Sequence, residues 1–150
     1  MQFVCSLNSE VKKYVNPKTG KISAGGNFKS FNENWIPVTE SITFISEQVK
    51  EGEGLCAWHL VDGKRIKDKT GCIQAGLIII DIDNQLDGKT EDGEKIQKQE
   101  LTPTQALELD LCKKYLSSAY YSPSSTAEWP RFRLVFGLEK PILDPDFFQW

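Results

Sequence analysis

The stretch Leu77-Ile78-Ile79-Ile80-Asp81-Ile82-Asp83-Asn84 constrains the fold more than any other part of the chain. Four large apolar residues in a row, rich in isoleucine and too few for a core helix, read as a strand covered on both faces. Residues at i and i+2 of a strand share a face, so Asp81 and Asp83 project together where this strand ends. Two bare carboxylates on one face repel unless a cation, a proton or a basic neighbour offsets them. Mg2+ or Mn2+ takes such hard oxygen ligands readily. The plainer alternative is a strand end whose two aspartates are solvated and start a loop.

At 150 residues the chain fits one domain that can bury a core without disulfides or structural metal. Cys5, Cys56, Cys72 and Cys112 are spread out with no C-x-x-C pair, and no apolar signal segment opens the chain, so we read reduced thiols in a soluble, cytoplasmic protein with no membrane partner. The longest apolar run is far short of a membrane span. A net charge of -3 gives no global attraction to nucleic acid, but the charge is uneven. Lys12, Lys13, Lys18, Lys21 and Lys29 make the N-terminal part basic, while Lys64, Arg65, Lys67 and Lys69 crowd one loop. Such clusters are either solvated surface or contacts to a phosphate backbone.

Periodicity and breakers predict the order of elements. Phe3 to Leu7 reads as a strand, followed by turns at 16–21 and 25–27. Thr39 or Ser41 caps a helix through Lys50 with Ile42, Ile45 and Val49 on one face and Gly52 beyond its end. Leu55 to Val61 forms a strand that makes a hairpin with the strand of Asp81 through the basic loop 62–71. A polar loop or insertion follows to Glu100. Thr102-Pro103 opens a helix whose apolar face is Leu107, Leu111, Tyr115 and Leu116. Ala119 to Ser122 is a short strand, and Arg131 to Leu138 alternates to give a strand with one apolar face. Asp144 to Phe148 looks like the start of a helix, which makes the chain the front part of something longer. The fold class expected is α+β (α/β), a mixed and largely antiparallel sheet flanked by helices.

Arg131 and Arg133, two apart on one strand, present two guanidinium groups on one face, and the guanidinium fork matches phosphate. The loop before them carries Ser122, Ser124, Ser125 and Thr126, hydroxyls suited either to phosphate or simply to turns. Ser124, Ser125, Arg131 and Arg133 are therefore the nucleotide-phosphate candidates, with Asp81 and Asp83 as metal ligands and Lys64, Arg65 and Lys67 as weaker nucleic-acid contacts. His59 with Cys56 and Cys72 makes an incomplete zinc set of non-standard spacing. Trp58 and Trp129 suit base stacking or loop anchoring.

The order hhhhD-h-D, helix, strand, Ser124-Ser125-Thr126 loop, Pro130-Arg131-Phe132-Arg133 and Lys140-Pro141-Ile142 resembles the catalytic domain of archaeo-eukaryotic primases, in the primase-polymerase branch of plasmid and phage replication proteins. It is most similar to the cyanobacterial-type plasmid replication proteins, over about Gly76 to Ile142. The resemblance implies an RRM-like core, catalytic metals on Asp81 and Asp83, a DNA template and an NTP or dNTP as partners, and a helicase domain or subunit alongside. It also implies a nucleotide-contacting histidine near Ser125, whereas the one histidine here is His59. The family's third acidic motif is expected beyond Trp150. Two rival readings stand beside it: a phosphatase of the haloacid dehalogenase type, with Asp81 as nucleophile and Asp83 as acid/base, and a non-catalytic nucleic-acid-binding replication module.

Overall fold

The computed structural model describes residues 1–11, 13–20, 22–24, 32–65, 72–89, 91–93, 95–97, 101–127 and 129–143, with backbone alone at 13–15, 22–24, 85–89 and 95–97. The expected turn at 25–27, the cations Lys12, Lys21, Lys29, Lys67 and Lys69, and the helix start at 144–148 lie outside the described residues.

Strand β1 (Phe3–Asn8) is the centre of a small antiparallel sheet, between β4 (Ile36–Glu40) and β5 (Gly54–Cys56). Two short strands, β2 (Lys13–Val15) and β3 (Ile22–Ala24), pair as a hairpin between β1 and β4 in sequence. After β5, Ala57 alone separates it from β6 (Trp58–Leu60), which enters a second sheet. The expected strand from Leu55 to Val61 is thus two strands serving two sheets. The second sheet has the order β10–β11–β7–β6, formed by β7 (Cys72–Ile82), β10 (Ser118–Tyr121) and β11 (Phe132–Ile142) with β6. Every strand pair among the described residues is antiparallel. The protein is therefore α+β, and β6 and β7 form the hairpin arms anticipated from sequence. The stretch expected as a loop after Asp83 holds another pair, β8 (Gln85–Lys89) and β9 (Lys95–Gln97).

Helix α1 (Ile42–Lys50) begins at Ser41, whose side chain accepts a hydrogen bond from the Phe44 N–H at 3.2 Å. It ends where Gly52 takes a φ of 99°, a left-handed conformation that glycine adopts without a Cβ penalty. Ile45 packs with Phe3, Cys5, Leu77 and Val135 in a core between the sheets and this helix. Burial pushes the Cys5 thiol up to about 12, so it packs as a neutral apolar group. On the other face of β7 and β11, Phe132, Leu134 and Phe136 pack with Ala106 and Cys112. Val135 is buried on the first face, so β11 is apolar on both faces rather than one.

Thr102 opens α2 (Pro103–Glu108) with a full capping box: its Oγ1 accepts from the Gln105 N–H at 3.0 Å, and Gln105 Oε1 accepts from the Thr102 N–H at 2.9 Å. The single long helix expected there is broken at Leu109 (φ -63°, ψ 136°), and α3 (Asp110–Tyr115) follows. That extended residue resets the helical phase. Leu107, Leu111 and Tyr115 accordingly stand exposed, and Ala106 and Cys112 are the buried contacts, with Leu116 partly buried beside them. No helix of the described residues is long and apolar enough to cross a membrane.

The two sheets touch through Gly76. A Cβ built there lies 2.5 Å from the Val4 nitrogen and 2.6 Å from the Val4 oxygen, so only glycine lets β1 approach β7 this closely. Ser6 Oγ adds a buried tie by accepting from the Leu60 N–H at 3.0 Å. Gly76→Ala is expected to cost about 3 kcal/mol, because backbone rather than a flexible side chain must move, read as a lower urea midpoint at unchanged slope.

Candidate functional site

The cross-strand register of β7 and β11 sets Asp81 directly opposite Arg133. Both residues share the sheet face of Leu77, Ile79 and Val135, and both lie at the end where β7 finishes and β11 begins. Arg133 Nη2 donates to Asp81 Oδ2 at 3.1 Å. One step further out, beyond the paired strands, Arg131 Nε meets Asp83 Oδ1 at 2.8 Å. The two acids and two arginines singled out separately in the sequence thus form one cluster of two ion pairs. A basic neighbour, one of the three ways to offset the D-x-D charge, is present for each carboxylate.

The acids are the outer members of these pairs. Side chains of Asp81 and Asp83 are 55% and 58% exposed, against 34% for Arg133 and 24% for Arg131. Pairs this open contribute about 0–1 kcal/mol each. The arginines have further supports. Arg133 lies 6.0 Å from the Tyr120 ring centre and Arg131 5.4 Å from that of Trp129. Burial works to lower the Arg133 pKa, and the neighbouring Tyr120 and Asp81 outweigh it and raise it. The Tyr120 phenol is itself pushed up by burial.

The serine loop is folded back onto Arg131. Ser122 N–H donates to the Arg131 carbonyl at 2.8 Å, the Arg131 N–H donates to Ser125 Oγ at 2.9 Å, and Arg131 Nη1 donates to Ser124 Oγ at 3.3 Å. Ser124 and Ser125 therefore orient an arginine here, and Ser125, accepting from a backbone amide, keeps its own proton to donate. Trp129 is a loop anchor: its indole N–H donates to the Asn84 carbonyl at 2.9 Å.

Asn84 is the residue that sequence reasoning passed over. It is buried, with a φ of 51°, a conformation asparagine tolerates better than most residues. Its Nδ2 donates to the carbonyls of Leu101 and Pro130, both at 2.8 Å, and its Oδ1 accepts from the Leu101 N–H at 3.0 Å. Asp83 precedes it and Arg131 follows Pro130, so this amide links the acid and basic sides of the cluster to the start of α2. The available signal was an asparagine just past a strand end.

A cleft of about 430 Å³ opens beside the inner ion pair, lined among others by Asp81, Arg133, Tyr120, Trp35, Glu53 and Arg65. Arg65 reaches it with its guanidinium 5.8 Å from the Trp35 ring centre. Lys64 is exposed and does not line this cleft, and Lys67 lies outside the described residues. His59 pairs with Gln74 in the β6–β7 ladder, some seven residues or about 23 Å along β7 from Asp81. Cys56 and Cys72 are not in disulfides, and among the described residues no group of three His, Cys, Asp or Glu side chains is placed to hold a metal. The zinc set therefore does not assemble there. Asp81 and Asp83 remain as a two-carboxylate donor set at one edge, each with one oxygen engaged by arginine. Oxygen donors of this kind are the chemistry that a hard divalent cation takes.

Comparison with known protein families, curated proteins and solved structures finds no match to this chain.

Replacing Asn84 with alanine strands the Leu101 N–H and the Pro130 carbonyl and places a Cβ residue at positive φ. Asn84→Ala is expected to lose about 3 kcal/mol in urea unfolding, and Asn84→Gly less, because glycine relieves the backbone part.

Proposed function

We propose that this chain is a metal-dependent primase or DNA polymerase domain of a plasmid or phage replication protein, transferring a nucleotide from an NTP or dNTP to a 3' hydroxyl on a DNA template. The observation that carries this reading is the meeting of Asp81 and Asp83 with Arg131 and Arg133 at one strand end, beside the hydroxyl loop. A site for a metal-bound triphosphate needs carboxylates for the cation and guanidinium groups for the phosphates within reach of each other. Both sets are supplied here by facing strands.

Asp81 and Asp83 would hold Mg2+ or Mn2+, which when bound activates the attacking hydroxyl and offsets charge on the leaving pyrophosphate. Arg131 and Arg133 neutralise phosphate oxygens, and the Ser125 hydroxyl donates to one of them. His59 pairs seven residues along β7 from Asp81, so Ser125 or Thr126, in the loop before Arg131, would take the part of the family's histidine. Arg65 and Lys64 offer charge to a template, and a helicase domain or subunit acts alongside. The phosphatase reading draws less support, since Gln85 stands where that family's motif carries Thr or Val and 80 residues precede Asp81, whereas that motif normally lies near the start of the chain.

Calorimetry with Mn2+ and a nucleoside triphosphate, followed by extension of a primed template, tests this function. Nucleotide binding that requires both Mn2+ and the two carboxylates, and is abolished in Asp81→Asn/Asp83→Asn, is the expected result. Release of phosphate from a generic ester without nucleotide incorporation would instead favour the phosphatase, and DNA binding without either activity the inactive module.

A further inference from the structure

The two main sheets end on four edge strands, β4, β5, β6 and β10, and three of them are guarded against a further strand. Edge β4 carries Pro37, and β5 stops after three residues. Strand β6 is as short, shifts register against β7, and has its Leu60 N–H taken by Ser6. β10 differs. It pairs with β11 over four consecutive residues, Ser118 to Tyr121, with no proline, no charged side chain and no shift in register. The Ser122 N–H donates to the Arg131 carbonyl, which fixes the phase of this ladder. Ser118 and Tyr120 turn their backbone groups toward β11, and Ala119 and Tyr121 turn theirs to the open side. Both of these residues are exposed, and no strand lies beyond them among the described residues.

The faces flanking this edge are hollow and apolar. On the α1 side a cavity of about 430 Å³ is walled by Ile42, Val49 and Leu55 and reaches Ser118 and Tyr120. On the α2 side a cavity of about 200 Å³ is walled by Pro103, Leu107, Phe132 and Leu134. Leu107 and Tyr121, exposed at 48% and 63%, belong to the rim of this feature. A strand laid along β10 satisfies the outward N–H and C=O groups and sends alternate side chains into the two hollows. Among the described residues Lys50 is the one charged side chain lining either hollow; it is exposed and in no ion pair. From this arrangement we infer that the open edge of β10 docks an extended peptide segment of a partner protein, apolar along its length and carrying a carboxylate where it passes Lys50. A second copy pairing through its own β10 brings an uncharged strand and leaves Lys50 without a carboxylate from it, whereas an acidic residue flanking the apolar run supplies one.

Amide hydrogen exchange of the whole chain, with and without a blocked synthetic peptide of alternating valine and leucine flanked by glutamates, tests this. The peptide is expected to slow exchange at Ala119 and Tyr121 at least about tenfold, and less at Tyr120, whose N–H is already paired to β11. Two N-methylated forms of the peptide, each blocking one alternate set of its amides, separate strand addition from apolar contact alone: one is expected to lose binding and the other to keep it. Lys50→Glu is expected to weaken the glutamate-flanked peptide about tenfold and to strengthen a lysine-flanked counterpart, a gain that a misfolded sample cannot give. No slowing at Ala119 and Tyr121, equal behaviour of the two methylated forms, or no exchange of charge preference in Lys50→Glu overturns the inference. So does slow exchange at these amides that grows with protein concentration in the absence of peptide, since a second copy then occupies the edge.

Discussion

The pairing of β7 with β11 in the register that sets Asp81 opposite Arg133 governs the rest of the site. A slip of one residue would turn the acids to the face packed by Ala106 and Cys112 and bury unpaired charge there. Correct register buries Leu77 and Val135 against Ile45 on one side, and Phe132, Leu134 and Phe136 on the other. The same alternation that fills two cores therefore delivers the four charged groups to one edge. Asn84 secures that edge by joining the chain just past β7 to the residue before Arg131 and to the start of α2.

Much of this was legible in the sequence because it depends on short-range periodicity. The apolar run before Asp81, the Ser41 cap and the Thr102-Pro103 start each carry their own local cause, and each appears where expected. Shared faces of residues two apart were enough to pair Asp81 with Asp83 and Arg131 with Arg133 as candidates. What periodicity does not carry is which strand lies opposite which. The one-to-one matching of acids and arginines is a property of register between segments some fifty residues apart, and it changes the reading of the acids from a bare pair to a compensated one.

The misses share a physical origin in single residues that interrupt a pattern. Leu109 is a good helix former, yet its extended backbone splits one expected helix and turns Leu107 and Leu111 outward. Ala57 likewise divides one expected strand between two sheets. The close approach at Gly76 depends on a strand from the far N-terminal end of the chain, and local composition is silent on it. Ser124 and Ser125 were rightly placed beside the arginines, but their first partner in the fold is Arg131 itself. Ser124 Oγ accepts from that guanidinium, whereas Ser125 Oγ accepts from the Arg131 backbone N–H.

Paramagnetic broadening by Mn2+, followed by NMR in the presence of pyrophosphate, tests the central claim most directly, because it locates the ion independently of turnover. If the D-x-D strand end and the arginine strand form one metal–phosphate site, amides of 81–84 and 131–133 broaden at lower Mn2+ than those of 72–74 at the far end of β7, about 23 Å away. Broadening centred elsewhere, or the same broadening in Asp81→Asn/Asp83→Asn, would contradict it.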